Sequence, residues 1–78
     1  MYTYIVKFNY DNREHLQRIE SSASPEFVDI EVAEIAIDNH LTDYKLRKKG
    51  TSPYDIRICD EKEIVLKKWK NFREKSSI

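Results

Sequence analysis

The chain has 78 residues, with 14 Lys+Arg balanced by 14 Asp+Glu. That length allows one domain with one small core, which leaves little stability to support a deep catalytic pocket. Charged residues make up 36% and aromatic residues 12%, with one Gly and two Pro. This composition excludes a disordered or collagen-like chain and points to a compact fold.

The balanced charge conceals a split. Residues 1–43 hold three basic residues and nine acids, net −6, and residues 44–78 hold eleven basic residues and five acids, net +6. Such asymmetry either draws the halves together in the fold or directs a field at a partner. No apolar run approaches the ~20 residues of a membrane helix. The start, MYTYIVKFNY, lacks the basic and apolar blocks of a secretory signal. A single cysteine cannot make an internal disulfide, so the cytoplasm is the expected compartment.

From Tyr2 to Tyr10 the even positions are Tyr2, Tyr4, Val6, Phe8 and Tyr10, and Thr3, Lys7 and Asn9 are among the odd ones. Alternation of this kind predicts a strand with an aromatic inner face. Asp11 to Glu14 offers turn chemistry. His15 to Ala23 reads as a second strand, paired antiparallel with the first. Leu16 and Ile19 fall on opposite faces of it, and a bulge would reconcile them.

Ser24-Pro25-Glu26 then reads as a helix start: a hydroxyl to cap orphan N–H groups, a proline at the first helical position and an acid at the positive end of the dipole. The helix should run from Pro25 to about Leu41, or on to Tyr44. At helical spacing Val28, Val32, Ile35 and Ala36 gather on one side, and Ile30, Ala33, Ile37 and Leu41 on nearly the opposite side. A sheet covers one stripe fully. The other is covered by the C-terminal segment, by a second copy in a homodimer, or by another partner.

Residues 45–53 form a basic loop with the only glycine, Gly50. Tyr54, Ile56 and Ile58 alternate with Asp55, Arg57 and Cys59, which predicts a third strand. Asp60 to Glu63 is a polar turn. Ile64 to Phe72 begins as a fourth strand, although Val65, Leu66, Trp69 and Phe72 also match a helical face. Residues 73–78 should fray. The expected architecture is a single α+β domain over 1–78, in the order β-β-α-β-β, with one helix packed on an antiparallel sheet.

This plan, carried by YTYIVKFN, by RIESSAS leading into PEFVDIEVAEIAID, and by YDIRICDEKEIVLKKW, resembles small phage-encoded ββαββ proteins. Some anti-CRISPR proteins that inhibit type I interference complexes are among them. The resemblance lies in element order and pattern. It implies an inhibitor of a host defence complex and transfers no residue role.

The chemistry on offer is sparse. Cys59 alternates with core positions and has no local base, so a structural thiol is expected. His15 and His40 lie far apart in sequence without a partner at zinc spacing, so no metal and no cofactor is expected. Glu31, Glu34 and Asp38 form one acidic helical stripe. It is either a solvated face or a ridge for a basic partner surface. A phosphate-cradling loop cannot be built from one glycine.

Two basic clusters complete the inventory: Lys45, Arg47, Lys48 and Lys49 in the loop, then Lys67, Lys68, Lys70, Arg73 and Lys75, with Trp69 and Phe72 interleaved. Cations that follow phosphates, with aromatics that stack on bases, are the ingredients of single-strand binding. Lysines on an edge strand also deter aggregation. The sequence therefore favours a non-enzymatic protein-binding module. It would occlude a surface of a host protein or ribonucleoprotein complex through Glu31, Glu34 and Asp38, or through Lys67, Lys68, Trp69 and Lys70. The alternative is a small nucleic-acid-binding protein using Lys45, Arg47, Lys48, Lys49, Lys67, Lys68, Lys70 and Arg73.

Overall fold

A computed structural model of the chain describes residues 1–72. The tail expected at 73–78, with Arg73 and Lys75, lies outside the described residues.

Strand β1 (Tyr2–Tyr10) and strand β2 (Arg13–Ser21) form the first hairpin. The turn is tighter than Asp11 to Glu14, because only Asp11 and Asn12 stand between the strands. Both have positive φ, 53° and 64°. That geometry is the two-residue turn whose twist matches its strands, and Asp and Asn tolerate it. Tyr10 therefore pairs with Arg13, and the register runs unbroken to Tyr2 opposite Ser21. The bulge predicted in β2 is absent from this pairing. Instead Leu16 points to the uncovered face and stays 49% exposed, while Ile19 packs against the core.

The helix start also differs from expectation. Helix α1 spans Ile30–Asp43, not from Pro25, and Asp29 caps it with Oδ1 accepting from the Ile30 N–H at 2.7 Å. Ser24 to Phe27 closes an isolated turn in which the Ser24 carbonyl accepts from both Phe27 and Val28 N–H. The turn stops at Asp29, whose backbone is extended (φ −138°, ψ −179°), and beside it Val28 is fully buried with its carbonyl accepting from the Lys67 ammonium at 2.7 Å. Val32 N–H bonds the Asp29 carbonyl instead.

The far end is closed by Lys45 in the left-handed region (φ 54°). Its N–H reaches Thr42 O, and the Leu46 N–H reaches Leu41 O, the two bonds of a Schellman cap. Loop 46–53 is pinned by Tyr10, whose hydroxyl accepts from the Lys48 N–H at 2.7 Å.

Strand β3 (Tyr54–Cys59) falls where the alternation put it, and strand β4 (Val65–Asn71) confirms the strand reading of the fourth segment. Ile64 lies outside that strand, in the turn that Asp60 closes by accepting from Lys62 and Ile64 N–H. The sheet order is β2-β1-β3-β4, with every neighbouring pair antiparallel. The fold is α+β, as the sequence implied.

The helix covers one sheet face. Tyr4, Val6, Phe8 and Tyr10 meet Ala33, Ala36, Ile37 and Leu41, with Ile56 and Ile58 completing the core. Of the second apolar stripe, Val28 and Ala36 are buried and Val32 packs against the core, so Ile35 alone remains 55% exposed. The monomer therefore covers most of what the sequence left open.

Candidate partner-binding surface

The two oppositely charged halves lie side by side, since β1 and β3 share the central seam of the sheet. The four ion pairs among the described residues all cross between the halves. Lys7 meets Glu63 at 2.7 Å, Arg57 meets Glu14 at 2.7 Å, Arg47 meets Asp38 at 3.0 Å, and Lys48 meets Asp11 at 3.4 Å. The Arg57 guanidinium holds the Glu14 carboxyl below its usual range, and the Glu63 carboxylate raises Lys7. Part of the charge split is thus neutralised inside the fold, through surface pairs of modest strength.

The predicted contact residues divide accordingly. On the helix, Glu31 and Asp38 are exposed and Glu34 is half-buried, but Asp38 is held by Arg47. On β4, Lys67 turns inward, its ammonium donating to Val28 O at 2.7 Å and Glu26 O at 3.5 Å. It is a structural strut between β4 and the turn before the helix. Trp69 and Phe72 are partly buried and pack against the core. Lys68 and Lys70 are exposed, on the face opposite Lys67.

With Arg57, Asn9, Glu14, Asp55 and a wall of Trp69, Lys68 and Lys70 line an open groove of about 510 Å³ on the uncovered face of the sheet. The groove runs beside β4, which is an edge strand. The loop cluster lies at one end of the same sheet. Arg47, Lys48 and Lys49 share a smaller hollow of about 260 Å³ with Tyr10, Asp38 and Phe72, and none of Lys67, Lys68 and Lys70 lines it.

One cluster has no counterpart in the sequence reading. His40, 9% exposed, places Nδ1 at 2.9 Å from Gln17 Oε1 and Nε2 at 3.3 Å from His15 Nδ1. An amide oxygen only accepts, so His40 Nδ1 carries the proton. In the neutral pair, His40 Nε2 then accepts from His15. Phe8 and Tyr44 pack on the ring at 5.5 and 4.7 Å between centroids. Burial, then the neighbouring His15, lowers the His40 pKa, and Asp43 opposes the shift. A signal does exist in the sequence: a two-residue turn puts His15 opposite Phe8 and Gln17 opposite Val6, both inward positions.

Cys59 is fully buried opposite Ile5, and burial pushes its thiol pKa up, as befits an unreactive side chain. Among the described residues no group of three or more His, Cys, Asp or Glu side chains is placed to hold a metal ion. No helix among them is long and apolar enough to cross a membrane. No protein-family model, curated protein or solved structure matches the chain.

Proposed function

We propose that the chain is a non-enzymatic protein-binding module that occludes a surface of a larger host protein or ribonucleoprotein complex in the cytoplasm. The surface assigned to this role is the uncovered sheet face along β3 and β4, with Lys68, Lys70 and Arg57 around the groove. A partner with an acidic patch suits it. The resemblance in element order gives this reading its specific form, an inhibitor encoded by a phage or other mobile element. The helix stripe of Glu31, Glu34 and Asp38 is the other candidate, with Asp38 paired to Arg47 as Arg57 is to Glu14 on the sheet face.

The observation that carries the preference is where the basic and aromatic side chains go. Lys67, Arg47 and Lys48 are engaged within the protein, and Trp69 and Phe72 pack against the core. A nucleic-acid strand needs a row of available cations with rings standing between them. The opposing observation is that Phe72, the residue after β4, lines one hollow with Lys48 and Lys49 of the loop, which keeps Lys45, Lys49, Lys68 and Lys70 as a second, nucleic-acid-directed reading.

Affinity purification from the native host with the wild-type chain and a Lys68→Glu/Lys70→Glu variant separates them. The protein reading expects a stoichiometric protein partner that the double reversal releases. It also expects no mobility shift of DNA or RNA at low salt. A steep, salt-sensitive nucleic-acid shift lost in the same variant reverses the assignment.

A further inference from the structure

Strand β2 is the other edge of the sheet, and its outer rim carries an exposed leucine between opposite charges. Edge strands are ordinarily protected, and a large apolar side chain on one is the reverse of protection. From its structure we infer that β2 pairs with β2 of a second copy, antiparallel about a two-fold axis through Leu16. The proposal uses the edge opposite β4 and shares one residue, Glu14, with the lining of the groove assigned to the partner.

The hairpin fixes which backbone groups are available. In an antiparallel pair, hydrogen-bonded positions alternate with non-hydrogen-bonded ones, and a two-residue turn makes its flanking pair, Tyr10 and Arg13, a bonded one. The positions bonded to β1 are then Arg13, His15, Gln17, Ile19 and Ser21. Glu14, Leu16, Arg18 and Glu20 aim their N–H and C=O groups outward. One contact agrees with this phase: the Arg18 carbonyl accepts from the Gln17 side-chain amide at 3.0 Å, on the exposed rim. That carbonyl has a second lone pair, so the contact can be shared with an incoming strand or displaced by it.

The side chains fix the register. A symmetric pairing centred on Leu16 sets Leu16 against Leu16 of the second copy. On either side it sets Glu14 against Arg18. Opposite charges and an apolar pair thus face one another along the uncovered sheet face. Shifting the centre to Gln17 sets Glu14 against Glu20 twice, and shifting it to Arg18 sets two arginines face to face. Like charges directly opposite are destabilising, so of these three registers only the one centred on Leu16 is self-complementary.

Glu14 keeps its Arg57 partner in this arrangement, because a carboxylate accepts from more than one donor. On the helix side His15 meets Gln17 of the second copy. The exposed Tyr44, packed at a tilt against His40 beside β2, adds apolar surface next to the seam. The lysine-rich end of strand β4 is less suited, since centring on Lys67, Lys68 or Lys70 sets two ammonium groups face to face and centring on Trp69 sets Lys68 against Lys70. The dimer leaves both β4 edges at the outer ends of one continuous sheet, available together.

Sedimentation equilibrium of the full chain tests the proposal. The wild type should dimerise reversibly. Leu16→Lys places two ammonium groups on the axis and should abolish association, while far-UV circular dichroism stays native because the side chain is exposed in the monomer. Glu14→Arg and Arg18→Glu should each weaken the dimer about tenfold or more. Mixing those two single variants should restore association. At one end of the mixed seam the introduced arginine of one chain faces the introduced glutamate of the other, and at the other end a native Arg18 faces a native Glu14. A wild type that stays monomeric into the millimolar range overturns the proposal. So does a dimer that Leu16→Lys leaves intact, or a charge-swapped mixture that fails to associate while both variants are folded.

Discussion

Lys67 sits in a row of lysines that reads as a contact surface, yet its ammonium is turned toward two carbonyls in the segment that leads into α1. Substituting Lys67→Met keeps the aliphatic stem and removes the donor. A hydrogen bond from a charged donor contributes about 1.5–3 kcal/mol when well made. Here one bond is short at 2.7 Å and the other marginal at 3.5 Å, and the residue is half-buried, so a loss of about 1–2 kcal/mol is expected. A domain of this size is stable by only about 4–12 kcal/mol. The melting temperature should therefore drop by about 5–15 °C. Thermal denaturation followed by circular dichroism measures it, with Lys68→Met as the control that should change stability by less than about 0.5 kcal/mol. Partner capture by folded Lys67→Met should persist. If Lys67→Met melts with the wild type, or if it loses the partner while Lys68→Met keeps it, the strut is not structural and the division of the lysine row is wrong.

Two further predictions concern the helix. Asp29→Ala should cost about 1 kcal/mol by removing the cap, whereas Ser24→Ala should stay within about 0.5 kcal/mol, since Ser24 closes its turn through the backbone carbonyl. Urea titrations of the two variants decide between the observed start and a start at Pro25. His40 binds its proton less readily folded than unfolded, so the unfolded chain takes up more protons as acid is added. Its contribution is fully present above the usual histidine value of 6.5 and is lost as pH falls from there through the lowered folded value. Urea midpoints across that window should decline in the wild type and flatten in His40→Phe; parallel declines would show that other groups carry the effect.

The elements are legible wherever periodicity has no competitor. Strand β1 and strand β3 keep the bounds their alternation gives, but a register shift between Lys7 and Asn9, with Asp55 at φ 51°, leaves Tyr54 exposed while Ile5 and Cys59 are buried; the end of α1 at Asp43 lies inside the range the apolar spacing allows. The start of α1 escapes a local reading because Ser24-Pro25-Glu26 closes a single turn, held by the Ser24 backbone carbonyl rather than its hydroxyl. The turn ends at the extended backbone of Asp29, where Val28 enters the core and its carbonyl meets the Lys67 ammonium, tertiary contacts that no local pattern encodes. Leu16 misleads for the opposite reason. An apolar residue invites an inward position and hence a bulge to supply one, yet the unbroken register leaves it outside. Of the candidate site, the sequence locates the lysine-rich segment but cannot separate Lys67 from Lys68. That distinction depends on which sheet face the helix covers. The His40, His15 and Gln17 cluster needs the register of one hairpin combined with the docking of the helix.

The seam between β1 and β3 has a practical corollary. It divides the chain at the exposed loop near Gly50 into an N-terminal piece rich in acids and a C-terminal piece rich in bases, and the ion pairs of Lys7 with Glu63 and of Glu14 with Arg57 span the cut. Severed there, the two fragments would have to find each other to complete one core. Such a chain is suited to fragment complementation, with reassembly that quickens as ionic strength falls.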